Sequence, residues 1–189
     1  RNAGRRQRDD KVGTGSVVIV GRVGAAKGVA HQHQEARRAQ IDDGVEHGGT
    51  VLFQLGLATS DDGKAFRRAP AGPVYSFGDG KHSVLTPTLL RSADGAVLRE
   101  EGALRMWFSA THFAGSSGLH TLHEARSTDG VKWSEPSEPL MQNVYAPTIL
   151  KEGATYRMWY VDVSSDPWII RCAESGDGRR WRCRAEAEL

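Results

Sequence analysis

Asp79 lies in the stretch "SFGDGKHSVLT", and Asp162 and Asp166 lie in "VDVSSDPW". Carboxyl groups acting together do acid/base chemistry. One protonates a leaving oxygen while another attacks or activates water, which is what cleavage of a glycosidic bond needs. Near these acids in the chain stand His82, His112 in "SATHFAGSSGLHT", Tyr145 in "MQNVYA", and Trp168. The two imidazoles can contact a polar ligand, and the flat faces of Tyr145 and Trp168 can stack on a sugar ring. The plainer alternative is that the aspartates cap loops and Trp168 covers a hydrophobic edge. The choice depends on whether the fold gathers these stretches in one place.

The elements that would position them repeat. "ATSDDGKAF" at 58–66, "ARSTDGVKW" at 125–133 and "AESGDGRRW" at 173–181 share the pattern Ala-x-Ser-x-Asp-Gly-x-x-aromatic. In the last two copies the phrase ends a longer unit. "TPTLLR" leads to "LRMWFSA" and then to the phrase, and "APTILK" leads to "YRMWYVD" and then to the phrase. The first of these units carries an insertion, "SADGAVLREEGA". Each segment is short, rich in aliphatic and aromatic residues and bounded by turn formers, so each reads as a strand. Asp-Gly between the third and fourth strands is a hairpin signal, because glycine accepts a positive φ. A four-stranded antiparallel meander repeated at this period is the signature of a propeller blade. Trp107 and Trp159 are then equivalent, as are Trp133 and Trp181, and all four are expected to pack blade against blade; Trp168 has no counterpart.

Blade geometry assigns the loops to rims. The start of the first strand and the end of the second share one mouth of the axial channel, so Asp79, His82, His112, Tyr145, Asp162, Asp166 and Trp168 fall on one rim. The Asp-Gly turns fall on the other, which makes Asp62, Asp129 and Asp177 turn residues. Glu100 and Glu101, in the insertion, are expected on that far rim as a solvated loop. Glu124 and Glu174 alternate in register, so at most one faces the core.

With these motifs the chain resembles the five-bladed β-propellers of the arabinanase, β-xylosidase and invertase superfamily, and the related mannoside phosphorylases. The resemblance covers about residues 51–184. It implies an all-β fold of propeller blades acting on an oligosaccharide by hydrolysis of glycosidic bonds, with Asp79, Asp162 and Asp166 as the available acids and His82, His112, Tyr145 and Trp168 as sugar contacts. The alternative is a non-catalytic propeller that binds a glycan or a protein. One departure favours that alternative: the resembling enzymes commonly place an Asp before the proline that opens an innermost strand, and here Thr86 and Ala146 stand there. Pro87 and Pro147 lie 60 residues apart, so five such blades need about 300 residues by repeat arithmetic. The 189 residues hold about two and a half blades, an incomplete propeller. The expected division is a leader at 1–47, a partial blade at 48–69, and blades at 70–136 and 137–189. An open terminal blade exposes an edge that favours self-association.

Other classes find little support. The formal net charge of +2 gives no strong field for nucleic acid. No apolar run is long enough to cross a membrane, and "RNAGRRQRDDK" lacks the apolar segment of a secretory signal, so a cytoplasmic location is expected. "GTGSVVIVGRVGAAKG" fails the dinucleotide pattern at Val18 and the phosphate-loop pattern at Ala26, so no cofactor is expected. No Cys/His spacing resembles a zinc site, and "HQH" at 31–33 reads as surface. Cys172 and Cys183 flank the third turn phrase and are expected as free thiols.

Overall fold

The computed structural model describes residues 15–23, 52–60, 67–68, 73–112 and 119–184. The "HQH" pair at 31–33 lies outside the described residues, as does the first Asp-Gly phrase beyond Ser60. All described elements are strands, arranged in three sheets. The first holds β1 (Gly15–Val23), β2 (Leu52–Ser60) and β3 (Arg67–Arg68), in that order. The second holds β4 (Ser83–Leu89), β7 (Ala103–Thr111), β8 (Thr121–Ser127) and β9 (Met141–Gln142) in the order β4-β7-β8-β9, with β6 (Arg99–Glu100) pairing β7 to one side. The third runs β13 (Arg182–Cys183), β12 (Ile169–Ser175), β11 (Thr155–Asp162), β10 (Val144–Glu152) and β5 (Arg91–Ser92). β1, inside the expected leader, pairs antiparallel with β2 along its whole length.

Apart from the short flanking strands β5 and β6, each sheet is a meander, and the sheets stack through side chains that alternate along their strands. Leu55, Tyr75, Val84, Met106, Phe108, Ala110 and Ala125 fill the gap between the first and second sheets, with Trp133 against them. Leu90, Trp107, Leu122, Val144, Ile149, Tyr156, Met158 and Tyr160 fill the gap between the second and third, with Trp181 against them. β7 is therefore buried on both faces from Arg105 to Thr111, whereas β11 alternates buried and open positions. Three of the four repeat tryptophans pack between sheets as expected. Trp159 does not; it is 38% exposed on the outer face of the last sheet.

The recurrent Ser-x-Asp-Gly turn explains itself. Ser127 Oγ accepts the amide of Gly130 at 2.8 Å, and Asp129 Oδ1 accepts the amides of Val131 and Lys132 at 2.8 Å. Ser175, Asp177 and Gly178 repeat the arrangement, with the amides of Arg179 and Arg180 on Asp177 Oδ1. Both glycines need a positive φ, 76° at Gly130 and 73° at Gly178. Asp129 and Asp177 are turn residues, as the sequence predicts.

One buried ionic cluster joins the second and third sheets. Arg105, 2% exposed, forks onto Glu124 through Nε and Nη2 at 2.9 and 3.0 Å, and donates from Nη1 to Glu100 at 2.7 Å and to the Tyr156 hydroxyl at 3.0 Å. Glu100 also takes Lys151 and the Tyr156 hydroxyl. Glu100 is thus no solvated loop residue; only Glu101 is, at 88% side-chain exposure. Glu124 is the glutamate that faces the core, and Glu174 stays half-buried.

Burial opposes the Glu100 charge, but Lys151, Tyr156 and Arg105 outweigh it and hold the carboxyl at about 2, against an ordinary 4.5. A depressed carboxyl stabilises the fold above its unfolded value and loses that contribution as pH falls towards the folded value. Urea unfolding followed from pH 5 to pH 2 is expected to show stability falling through this window, with a shallower fall in Glu100→Gln.

Candidate functional site

Strand register fixes one rim. Ser83 pairs Thr111, Ala110 pairs Thr121, Val144 pairs Asp162, and Asp162 pairs Ile169. The loops before β4 and β10 and those after β7 and β11 therefore share an end of the sheets. The Asp-Gly turns, following Ser127 and Ser175, lie at the other end, because Ser127 pairs Leu104 and Ser175 pairs Tyr156.

On this rim the described contacts divide the predicted residues into two groups. In the loop before β4, Asp79 Oδ1 accepts the amides of Lys81 and His82 at 2.8 Å, and Oδ2 meets His82 Nδ1. The His82 ring lies 4.7 Å from Phe77 and 5.5 Å from His112. Burial works against the Asp79 charge, yet the bonds from His82 and Lys81 prevail and hold the carboxyl at about 2. It stays ionised at neutral pH and braces its own loop.

The second group belongs to the β11–β12 hairpin and the start of β10. Tyr145 pairs Val161 across the strands, and its ring lies 5.9 Å from Trp168 and 5.2 Å from His120. Trp168 is 57% exposed. Asp162 closes β11, buried to 9% exposure, with Oδ2 on Arg171 Nε at 2.7 Å and Oδ1 on the Ser164 amide at 2.9 Å. Ser164 first, then Arg171, hold its carboxyl below the usual carboxylate range against the effect of burial. Asp166 is exposed in the same hairpin. Beside Asp162 opens a cavity of about 310 Å³, lined by Gln142, Asn143, Tyr160, Ser164, Arg171 and Cys183 among others. Sequence reading missed Arg171, whose only signal is its place opposite Tyr160, and Asn143, whose φ of 61° is one that asparagine tolerates.

Thr86 and Ala146 occupy matching breaks in the register of β4 and β10, each with a positive φ (44° and 48°) directly before a proline. Such backbone costs about 1–2 kcal/mol per residue. It is tied down laterally: Thr86 Oγ1 accepts the Ala146 amide at 3.2 Å, and Ser109 Oγ donates to Val144 O at 2.8 Å. Neither position carries an acid. Among the described residues no cluster of three or more His, Cys, Asp or Glu could hold a metal ion, no helix is long and apolar enough to cross a membrane, and both cysteines are free.

No family model and no curated protein matches the chain. Solved structures do. A Bombyx mori GH32 beta-fructofuranosidase superposes with a TM-score of 0.55 at 13% identity, over 89% of this chain and 34% of its own. A mutant of the same enzyme in complex with sucrose gives the same values. A second glycoside hydrolase gives 0.53 at 17% identity, over 70% of this chain and 47% of its own. The chain thus spans between a third and a half of the length of these structures. At such identities the likeness speaks for fold alone: over that partial length, the chain has the blade architecture of the propeller glycoside hydrolases.

Proposed function

We propose that this rim binds an oligosaccharide and hydrolyses a glycosidic bond in it. The observation that carries the reading is that the start of β10 and the β11–β12 hairpin bring to this rim both the Tyr145–Trp168 ring pair and Asp162 with its cavity. Trp168 and Tyr145 supply a stacking platform, and His82 and His112 offer polar contacts further along the rim. Asp162, held ionised, suits attack on the anomeric carbon or deprotonation of water. Asp166, exposed four residues on, is assigned the proton donor: as the C–O bond breaks, its proton passes to the leaving oxygen and water supplies the hydroxyl. Asp79 stays ionised and holds its own loop in place. The glycoside-hydrolase fold supports the assignment as analogy.

A second reading, a propeller that binds glycan without cleaving it, is favoured by one observation. The bulged positions Thr86 and Ala146 carry no carboxyl, and Asp79 and Asp162 are both held charged and so cannot donate a proton.

Turnover of an aryl-glycoside panel and glycan-array binding separate the two. Trp168→Ala is expected to weaken oligosaccharide binding about tenfold, the loss of roughly 1.5 kcal/mol of ring stacking. Asp162→Asn is expected to lower turnover by about a hundredfold or more while leaving binding in place. Wild-type turnover no higher than that of Asp79→Ala/Asp162→Ala would reject hydrolysis. Glycan binding that persists beside it would establish the second reading.

A further inference from the structure

Two buried side-chain atoms at this rim, Thr111 Oγ1 and His120 Nδ1, have no hydrogen-bond partner. Buried polar atoms are nearly always paired, so each exception has a cause. These two are neighbours. Thr111 ends β7, His120 directly precedes β8, and Ala110 pairs Thr121. The next position along sets His120 opposite Thr111. Directly opposite residues hold their Cβ atoms about 4.5–5.5 Å apart, a gap that one hydroxyl oxygen bridges. The two also face the same way. Trp107 of β7 packs with Val144 and Ile149 of the third sheet, and Ser109 donates to Val144 O. Side chains alternate along a strand, so Thr111, two residues after Ser109, turns to that sheet as well; it is fully buried. The His120 ring meets Tyr145 of the third sheet at 5.2 Å, and Tyr145 meets Trp168 at 5.9 Å. An unsatisfied polar pair thus stands beside a row of three rings. Burial lowers the His120 pKa below its ordinary 6.5, so the ring is neutral at pH 7 and keeps one donor and one acceptor nitrogen.

We propose that Thr111 and His120 select a neutral sugar ring, gripping one of its hydroxyls while the ring lies against Tyr145 and Trp168. A hydroxyl donates and accepts, so it satisfies Thr111 and either tautomer of His120. A carboxylate or phosphate only accepts, and it carries charge into a buried place at a heavy cost. The proposal deepens the oligosaccharide reading of the rim and rests on it.

Titration calorimetry on the full 189-residue chain tests it, with neutral oligosaccharides of hexoses and pentoses set against oligosaccharides of uronic acids. Wild type is expected to bind a neutral member and to reject the acidic ones. Thr111→Val and His120→Phe keep the shape of each side chain and remove its polar atoms. Each is expected to weaken binding about three- to tenfold, the share of one hydrogen bond. Thr111→Val is expected to keep or raise the melting temperature, because a methyl replaces an unpaired buried hydroxyl; a purely structural role would lower it. Among monodeoxy analogues of the bound sugar, one is expected to cost wild type the same factor and Thr111→Val nothing further. If Trp168→Ala weakens binding while Thr111→Val and His120→Phe leave it unchanged, the two atoms hold only water, and this proposal falls while the oligosaccharide reading stands. Equal affinity for the acidic sugars likewise overturns the proposal alone. A wild type that binds no saccharide overturns both.

Discussion

Arg105→Ala is expected to destabilise the chain by about 3–5 kcal/mol, the usual consequence of stripping one partner from a buried ion pair. The cause lies less in the lost bonds than in what remains. Glu124, buried to 3% exposure, would keep its charge with only Arg126 and Arg179 approaching from the surface. The carbonyl of Asp177 and the face of Trp107, which the guanidinium covers at 4.5 Å, would lose their contact as well. Urea unfolding monitored by tryptophan fluorescence measures the loss. Arg105→Met combined with Glu124→Leu is expected to recover much of it, because an apolar pair of similar bulk carries no stranded charge. If Arg105→Ala alone costs less than about 1 kcal/mol, the network does not join the sheets.

Gly178→Ala is expected to cost about 2–5 kcal/mol, from two sources. A Cβ at this position would stand 2.8 Å from Arg105 Nη2 and 2.9 Å from Trp107 Cζ2, and the guanidinium cannot retreat without leaving Glu124. The φ of 73° adds its own penalty. Gly130 supplies the internal control. It has nearly the same φ, but a Cβ there meets only Leu104 Cδ1, at 3.4 Å. Gly130→Ala is expected to cost about 1 kcal/mol, the backbone part alone. Equal losses in the two thermal melts would show that the crowding at Gly178 is relieved cheaply.

The difference between these glycines indicates what the sequence could disclose. The turn itself was legible, because Ser175, Asp177 and Gly178 satisfy one another within four residues and the same chemistry recurs at Ser127, Asp129 and Gly130. The strands were legible for a similar reason: "YRMWYVD" carries its alternation in plain view. That Gly178 also abuts Trp107 was not legible, since the contact spans 71 residues and depends on how two sheets stack. Glu100 was misread on the same ground. Its neighbours in the chain are those of an exposed turn, and its partners Lys151 and Tyr156 arrive from the next sheet. At the rim, the sequence identified the acids but not their company. Asp79 is committed to its own loop by local amides and His82. Asp162 is matched with Arg171, nine residues on across a hairpin. The missing carboxyls at Thr86 and Ala146 could be read directly, because the following proline marks the place; the positive φ there could not.

The short parallel pairing of β5 with β10, Arg91 beside Leu150 and Ser92 beside Lys151, has a mechanical consequence. The chain leaves the innermost strand of one sheet and at once hydrogen-bonds to the innermost strand of the next, like a staple through two pages. Peeling the last sheet away must break main-chain bonds as well as side-chain contacts. The two sheets therefore share one opening event, and slow-exchanging amides on both are tied to the same fluctuation.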